Sequence, residues 1–544
     1  MSTVLNTAIA GINAMKVIID HTVDKINNPN KNHSYTQIFT DNVIEDYHPT
    51  VISLKIQEIY DEYNDFITEE KRITDAQIHN ETKKIEQLIK LEDLLCEKSN
   101  IFNELVNELY YDIKQDMLLN HPKTINQNIK KKLHDITALI KDFDKKLSFL
   151  EQDVKQSVIN NIKKANELID AIHDMTVHIR YFPIARMHNT INNLIDKRDN
   201  LVDELNTLVG VKVIKNHDNY AIYLNNNISL IDNNHKQNLM PLTSKYDDKY
   251  VSIGYAENDH SMPVKIENMI PSAVLGSLLQ FRKEELTNAR NKIGQLTVDF
   301  ANYMNQYAKL GYNIFGNQEK KIFKISDPQT IQSSTNTSST QTLVQWKDTS
   351  NPQDTDYIIY FKNNVWTVTK MLDHSMVAYT MDQKDNITSI NFDGIQLLIK
   401  GQHADGDIYM IKPYPTTLET LELLDDTNDP FELSSEDNMH RINQQNTPVI
   451  NQFNIHTLIE HQEKLDQAYQ KFSKAISYKY HILEEKLPFE KSMVKILDNK
   501  KMTVSHDINT NFNELNYEQA CYLANVKVLE TAEKIFNEII DCYS

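Results

Sequence analysis

A mainly α-helical protein with an inserted β domain is the fold class this sequence predicts, and three observations carry that reading. Gly and Pro are scarce, 10 and 14 in 544 residues, far below the usual share of turn-forming residues. Apolar residues recur three and four apart along both flanks of the chain, the mark of helices with one buried stripe. Between about 340 and 413 that period gives way to short strand-length runs between Asn- and Gly-bearing turns. Such spacing reads as a small β-sandwich or barrel-like domain.

At the N-terminus, Leu5, Ala8, Ile12, Met15, Ile19, Thr22 and Ile26 step alternately three and four apart. That places a narrow apolar seam along one helix, the geometry of coiled-coil packing. Pro29 is expected to end it. Segment 1–40 therefore reads as an N-terminal assembly helix with the stretch that follows. From 41 to 325 a helical bundle domain is expected. Ile85, Leu88, Leu95, Phe102, Val106 and Leu109 keep one helical register, and Leu147, Leu150, Val154, Val158, Ala165, Ile169 and Ile172 keep another. His121–Pro122 and Phe182–Pro183 mark the breaks. Near 211–260, VKVIKNHDNYAIYLNNNISLI alternates apolar and polar residues, which predicts a small β element inside this domain.

The inserted β domain is placed at 326–415, with strands at TLVQW, YIIYF, VWTVT, VAYTM, SINF, IQLLI and DIYMI and a polar linker at Ser333–Thr342. Trp346 and Trp366 are expected to fill its core. A return loop and a long helix of the bundle occupy 416–505, the helix spanning roughly 455–490. In the last segment, 506–544, Tyr522, Val526, Leu529, Ala532, Phe536 and Ile539 recur at helical spacing. The two terminal helices are expected to pair as a coiled coil, about 1–28 with 512–541.

Composition narrows the function. Acidic residues outnumber basic ones, 76 to 57, for a net charge of −19. Such a surface repels nucleic acid, which a basic face must bind. No stretch approaches the roughly 18 continuous apolar residues of a membrane helix, and the start lacks the basic and continuous apolar regions of a cleaved leader. Cys96, Cys521 and Cys542 are far apart, so no disulfide framework or zinc knuckle is expected. No phosphate-cradling loop, nucleophile elbow or metalloprotease motif occurs. His173 and His178 are five apart, a poor spacing for one metal, and Asp405–Gly406–Asp407 reads as a turn leading into a strand. Asp196, Arg198, Asp199 and Glu204 read as the solvated side of an amphipathic helix, and Arg282 as a partner of Glu285 one turn on. The expectation is no enzyme, no cofactor and no metal.

Two internal blocks go further: NNLIDKRDNLVDELNTLVGVKV and SAVLGSLLQFRKEELTNARNKIGQLTVDFANYMNQYAKLGYNIFGN. With the terminal helices, and in this order, they resemble the flagellar hook-associated protein 1 family. Asp196, Arg198, Asp199, Leu201, Glu204, Leu205, Gly210 and Val211 follow that family's helix running into a strand. Gly276, Leu278, Phe281, Arg282, Ala289, Arg290, Asn291, Gln295, Leu296, Asn305 and Gly311 follow its later long helix. After the first helix the match thins: Ile26, Asn28, Asn30 and Gln37 keep the family pattern, but its Gly and Arg are missing. The resemblance implies a structural subunit at the junction of hook and filament, polymerised in a ring of its own copies between hook protein and hook-associated protein 3. It further implies export through the flagellar type III apparatus to a secreted, extracellular position, with an export chaperone holding the C-terminal helix. Two alternatives remain open on the residues: another flagellar axial protein, either hook protein or hook-associated protein 3, or a cytosolic coiled-coil scaffold or adaptor.

Overall fold

A computed structural model describes residues 49–119, 123–181, 188–216, 219–224, 228–232, 235–243, 250–256, 263–270, 272–310, 321–333, 336–384, 386–424 and 455–502, with Leu523, Val526 and Lys527. The chain divides into two compact units, Met1–Asp75 with Pro488–Ser544, and Ala76–Leu487. The second contains a helical domain and a β domain.

Helices α1 (Pro49–Leu119) and α2 (Lys123–Arg180) flank His121–Pro122. Proline lacks an amide N–H and disfavours helical geometry in the residue before it. In α2, Ile129, Leu133, Ile136, Ile140, Phe143, Leu147, Leu150 and Val154 alternate four and three apart, and none is more than 7% exposed. Leu88, Leu91, Leu95, Val106, Leu109 and Ile113 of α1 enter the same core. Both helices are long because no Gly or Pro interrupts these stripes.

Helix α3 (His188–Val209) ends at Gly210, whose φ is +65°. The Gly210 amide donates to Asn206 O at 3.0 Å, and the Val211 amide donates to the Asn206 side chain at 3.0 Å. A left-handed glycine is the usual way to satisfy the last helical carbonyls. The chain then forms an antiparallel sheet in the order β1 (Val211–Asn216), β2 (Asn219–Leu224), β3 (Ile228–Asp232), β4 (His235–Lys236). A second sheet joins β5 (Leu239–Thr243), β6 (Val251–Tyr255) and β7 (Val264–Lys265). Helix α4 (Ala273–Gln280) passes through a π-helical stretch, Phe281–Leu286, into α5 (Thr287–Leu310).

Beyond α5, β8 (Phe323–Lys324) pairs with the two-residue strand Glu422–Leu423. The Asn305 side chain secures it: its Oδ1 accepts from the Ile322 and Phe323 amides, both at 2.8 Å, and its Nδ2 donates to Phe323 O at 3.0 Å. The β domain is a sandwich. One sheet has the order β10 (Gln341–Trp346), β15 (Ile395–Lys400), β14 (Ile387–Phe392), β13 (Thr380–Lys384). The other runs β12 (Val365–Lys370), β11 (Tyr357–Lys362), β16 (Ile408–Lys412), β9 (Gln329–Gln332). Between them lie Tyr357, Ile359, Trp366, Ile390, Leu397 and Tyr409, while Trp346 packs at the margin. Asn363 and Asn364 both have positive φ, 51° and 61°, as the tight β11–β12 hairpin requires.

One strand differs from expectation. VAYTM was to form it, but β13 begins only at Thr380. The preceding residues lie along β12: Val377 N donates to Val368 O at 2.8 Å, and Tyr379 OH donates to Trp366 O at 2.7 Å. The segment therefore pairs first with one sheet before crossing to the other.

The chain returns through α6 (Thr417–Thr420) and β17 (Glu422–Leu423) to α7 (Ile455–Met502), which continues past Pro488 and so beyond the expected end near 490. Helices α1, α5 and α7 meet at an aromatic cluster. His461 stacks on Tyr303 with centroids 3.8 Å apart, and its Nδ1 shares a 2.6 Å hydrogen bond with Tyr110 OH. Its Nε2 lies 3.4 Å from Asp299. Burial pushes the Tyr110 hydroxyl well above its ordinary pKa and that of Tyr303 up to about 12.

Candidate functional site

The seam residues Leu5, Ala8, Ile12, Met15, Ile19 and Ile26 lie outside the described residues, as do Tyr522, Leu529, Ala532, Phe536, Ile539 and Gly311. Val526 is described, helical and half-buried. The internal motif residues are where the geometry can be followed, and they form the polar joints of the Ala76–Leu487 unit.

The first joint corrects a sequence expectation. Asp196 and Glu204 are exposed on α3, but Arg198 is buried. Its guanidinium lies 3.6 Å from the centroid of the Tyr220 ring and pairs with Asp199 at 3.2 Å. The hairpin β1–β2 folds back over α3 and covers the arginine, which no helical wheel of α3 alone could reveal. Leu205 enters the core beside it.

The second joint corrects another. Arg282 does not pair with Glu285. Both lie in the π-helical stretch, where hydrogen bonds close over five residues rather than four. That widening carries side chains three apart away from a shared face. Arg282 instead donates to Glu267 and lies over the Tyr250 ring, 4.5 Å from its centroid. Glu267 also accepts from Lys265 at 2.8 Å and from Ser252 at 2.9 Å. Burial alone would raise the Glu267 pKa, but Arg282, Lys265 and Ser252 outweigh it and hold the carboxyl below 4.5. Glu285 turns to α7, where Lys479 donates to both its oxygens at 2.9 and 2.8 Å. Phe281, immediately before Arg282, is fully buried, and Gly276 is buried in α4.

The third joint is two-sided. On one side of α5, Arg290 forks onto α2, donating to Asp144 at 2.7 Å, to Glu151 at 3.1 and 2.9 Å, and to Ser148 at 3.3 Å. Burial opposes its charge, yet Glu151 and Asp144 hold its pKa above the ordinary value. On another side the β domain docks. Asn291 Nδ2 donates to Asp356 at 3.0 Å, Lys292 Nζ to Asp354 at 2.9 Å, and Gln295 Nε2 to Pro352 O at 2.8 Å. Tyr414 seats against Gly294, where a Cβ would come within 2.4 Å of the Tyr414 Cβ. Its hydroxyl donates to Gln353 O at 2.6 Å.

Sequence reasoning named Arg290, Arg282 and Gln295 but missed Glu267, Asp144, Glu151, Asp354, Asp356 and Tyr414. A lone acid amid apolar neighbours, as in VKIENMI, was the available signal for Glu267. For chemistry there is little to build on. Among the described residues no group of three His, Cys, Asp or Glu could hold a metal, and no helix is long and apolar enough to cross a membrane. A groove of about 600 Å³ on the β domain is lined by Lys347, Asp348, Tyr379, Thr380, Asn391 and Asp393 among others. The joints are architectural: they fix helix to helix and domain to domain.

Comparison with known proteins finds similarity along the chain. Residues 88–323 match the family model described as flagellar hook-associated protein FlgK helical domain, and residues 331–413 match flagellar hook-associated protein 1, D2-like domain. The chain is 49% identical to flagellar hook-associated protein 1 of Buchnera aphidicola subsp. Schizaphis graminum (strain Sg) over 100% of both chains. It is 24% identical to the Escherichia coli (strain K12) protein of the same name, over 99% of this chain and 100% of that one. Among solved structures, the flagellar hook junction protein FlgK from Burkholderia pseudomallei shares the fold, with a TM-score of 0.60 and 19% identity. That match covers 66% of this chain and 64% of the other, slightly under two thirds of its length.

Proposed function

The chain belongs to the flagellar hook-associated protein 1 family, structural subunits of the hook–filament junction, and on that premise we propose that it assembles through its terminal segments. The single observation that supports this most is the pair of narrow apolar seams at the two ends, Leu5 to Ile26 and Tyr522 to Ile539. Each carries six or so apolar side chains, whose burial contributes about 1.5–3 kcal/mol apiece for the larger ones. Ordering a chain end opposes much of that. The balance favours order when a neighbouring copy covers the seam. Copies then form a ring, with hook protein on one side and hook-associated protein 3 on the other.

Export follows the same logic. A C-terminal segment with an apolar stripe from Tyr522 to Ile539 suits capture by an export chaperone and passage through the flagellar type III apparatus to a secreted position on the flagellum. The role is architectural and requires no catalysis. The alternative of a cytosolic scaffold predicts terminal helices that are fully protected in the lone chain. Hydrogen exchange on the purified monomer separates the two. Fast exchange over 1–28 and 512–544 beside a slow 80–320 region is the expected result. In a strain lacking its own junction protein, Leu529→Asp with Phe536→Asp should abolish incorporation while the central domains stay folded. Normal junctions from that double variant would remove the proposal.

A further inference from the structure

Domains joined by a pair of connections move relative to one another by default, unless a large and specific contact holds them. The β domain of this chain is such a case. Two connections lead into and out of it, and a polar contact surface runs beside them along α5. Asn291, Lys292 and Gln295 hold the 352–356 loop, with Asn291 and Asp356 each only 5% exposed. Two turns further along α5, Thr349 donates to Asn302 at 3.1 Å. Trp346 Nε1 donates to Ser326 O at 3.1 Å, so the first strand of one sheet is tied to the incoming connection.

Steric fit reinforces these bonds. Gly294 leaves room for Tyr414 and for nothing larger than a hydrogen on its own Cα. A neighbouring flank of the same helix is locked to α2 by Arg290. The eight residues 289–296 therefore grip the helical domain on one side and the β domain on the other. A shift of α5 by one turn would take the Asn291 donor away from Asp356, a buried carboxylate. Losing a hydrogen bond to a buried charged group costs more than losing an exposed one.

We infer that Asn291, Lys292, Gly294 and Gln295 are positioning residues that hold the β domain in one orientation on the helical domain, and that junction assembly depends on this orientation. The β domain is then a rigid outrigger rather than a tethered module, and neighbouring subunits meet it at a set angle. The second half of the statement rests on the proposed assembly role; the first does not.

The test uses the full chain with Cys96, Cys521 and Cys542 replaced by Ser and spin labels at Phe149→Cys and Leu343→Cys, both exposed, at 77% and 58%. Unaltered α5 should give one narrow distance distribution between the domains. Asn291→Ala with Lys292→Asp and Gln295→Ala should broaden it about twofold or more, with export unchanged and few junctions formed. Adding Asp354→Lys to Lys292→Asp alone should restore the narrow distribution. If the triple variant fails to fold, Asp354→Lys with Asp356→Ala makes the same break from the β side. A broad distribution in the unaltered chain overturns the inference, as does a broadened variant that builds normal junctions. Failure of the unaltered chain to build junctions would instead strike the assembly role, and the distances alone would then decide the orientation claim.

Discussion

Replacing Arg290 with Met tests how the helical domain is held together. The guanidinium is 12% exposed, and the side chains it faces, Asp144 and Glu151, are 8% and 13% exposed. Methionine keeps most of the volume, so the loss reports charge and hydrogen bonding rather than a cavity. Two carboxylates of α2, Asp144 and Glu151, would then lie at the α2–α5 contact without the Arg290 guanidinium. Breaking a buried ion pair in this way costs about 3–5 kcal/mol, and the residual solvent contact puts the expected loss near the lower figure. The cost arises from the stranded carboxylates more than from lost attraction. Arg290→Met combined with Asp144→Asn and Glu151→Gln should therefore recover most of the stability. Because the folded pKa of Arg290 lies above its ordinary value, its contribution is fully present below that ordinary value and lost only at higher pH. The effect should thus be constant through the neutral range. Urea unfolding read by hydrogen exchange at 144–151 and 287–300 separates this domain from the β domain. A single variant within about 1 kcal/mol of the parent, or a triple variant no better than the single, would refute the reasoning.

Other outcomes follow from the same geometry. Glu267 has its folded pKa held below 4.5, so its contribution is complete above that pH and is lost as pH falls through the folded value. Glu267→Gln should flatten the melting temperature against pH below 4.5, and an unchanged acid limb would show that the Arg282 contact is unimportant. Gly210→Ala should cost about 1–2 kcal/mol for the left-handed backbone, plus a clash with Ser272 Oγ, 2.5 Å from the new Cβ. Gly210→Ala with Ser272→Ala should recover only the clash, which thermal melts can measure. Tyr110→Phe removes the hydroxyl bonded to His461 and should cost about 1–2 kcal/mol. Loss of protection near 461 should accompany it in hydrogen exchange.

Much of this architecture is legible without coordinates. The alternating three-and-four steps of α2, the Pro122 break and the Asn363–Asn364 hairpin are local features, set by residues within a turn or two. Local periodicity and turn chemistry act over short distances along the chain, so reading them requires no knowledge of what packs where. The sequence also marked Arg290, Arg282, Gly210 and Gln295 as positions that matter. Their roles came only from the tertiary structure. Arg290 meets Glu151 across 139 residues, and Lys479 reaches Glu285 across 194. Arg198, expected in solvent, is covered by a hairpin that lies beside it only after folding. The π-helical stretch, which redirects Arg282 toward Glu267, has no signature in residue spacing. By itself the sequence determined most of the described helices and strands and where they turn. Which charge neutralises which was decided by the packing of distant segments, because a buried charge takes whatever partner the fold brings within reach.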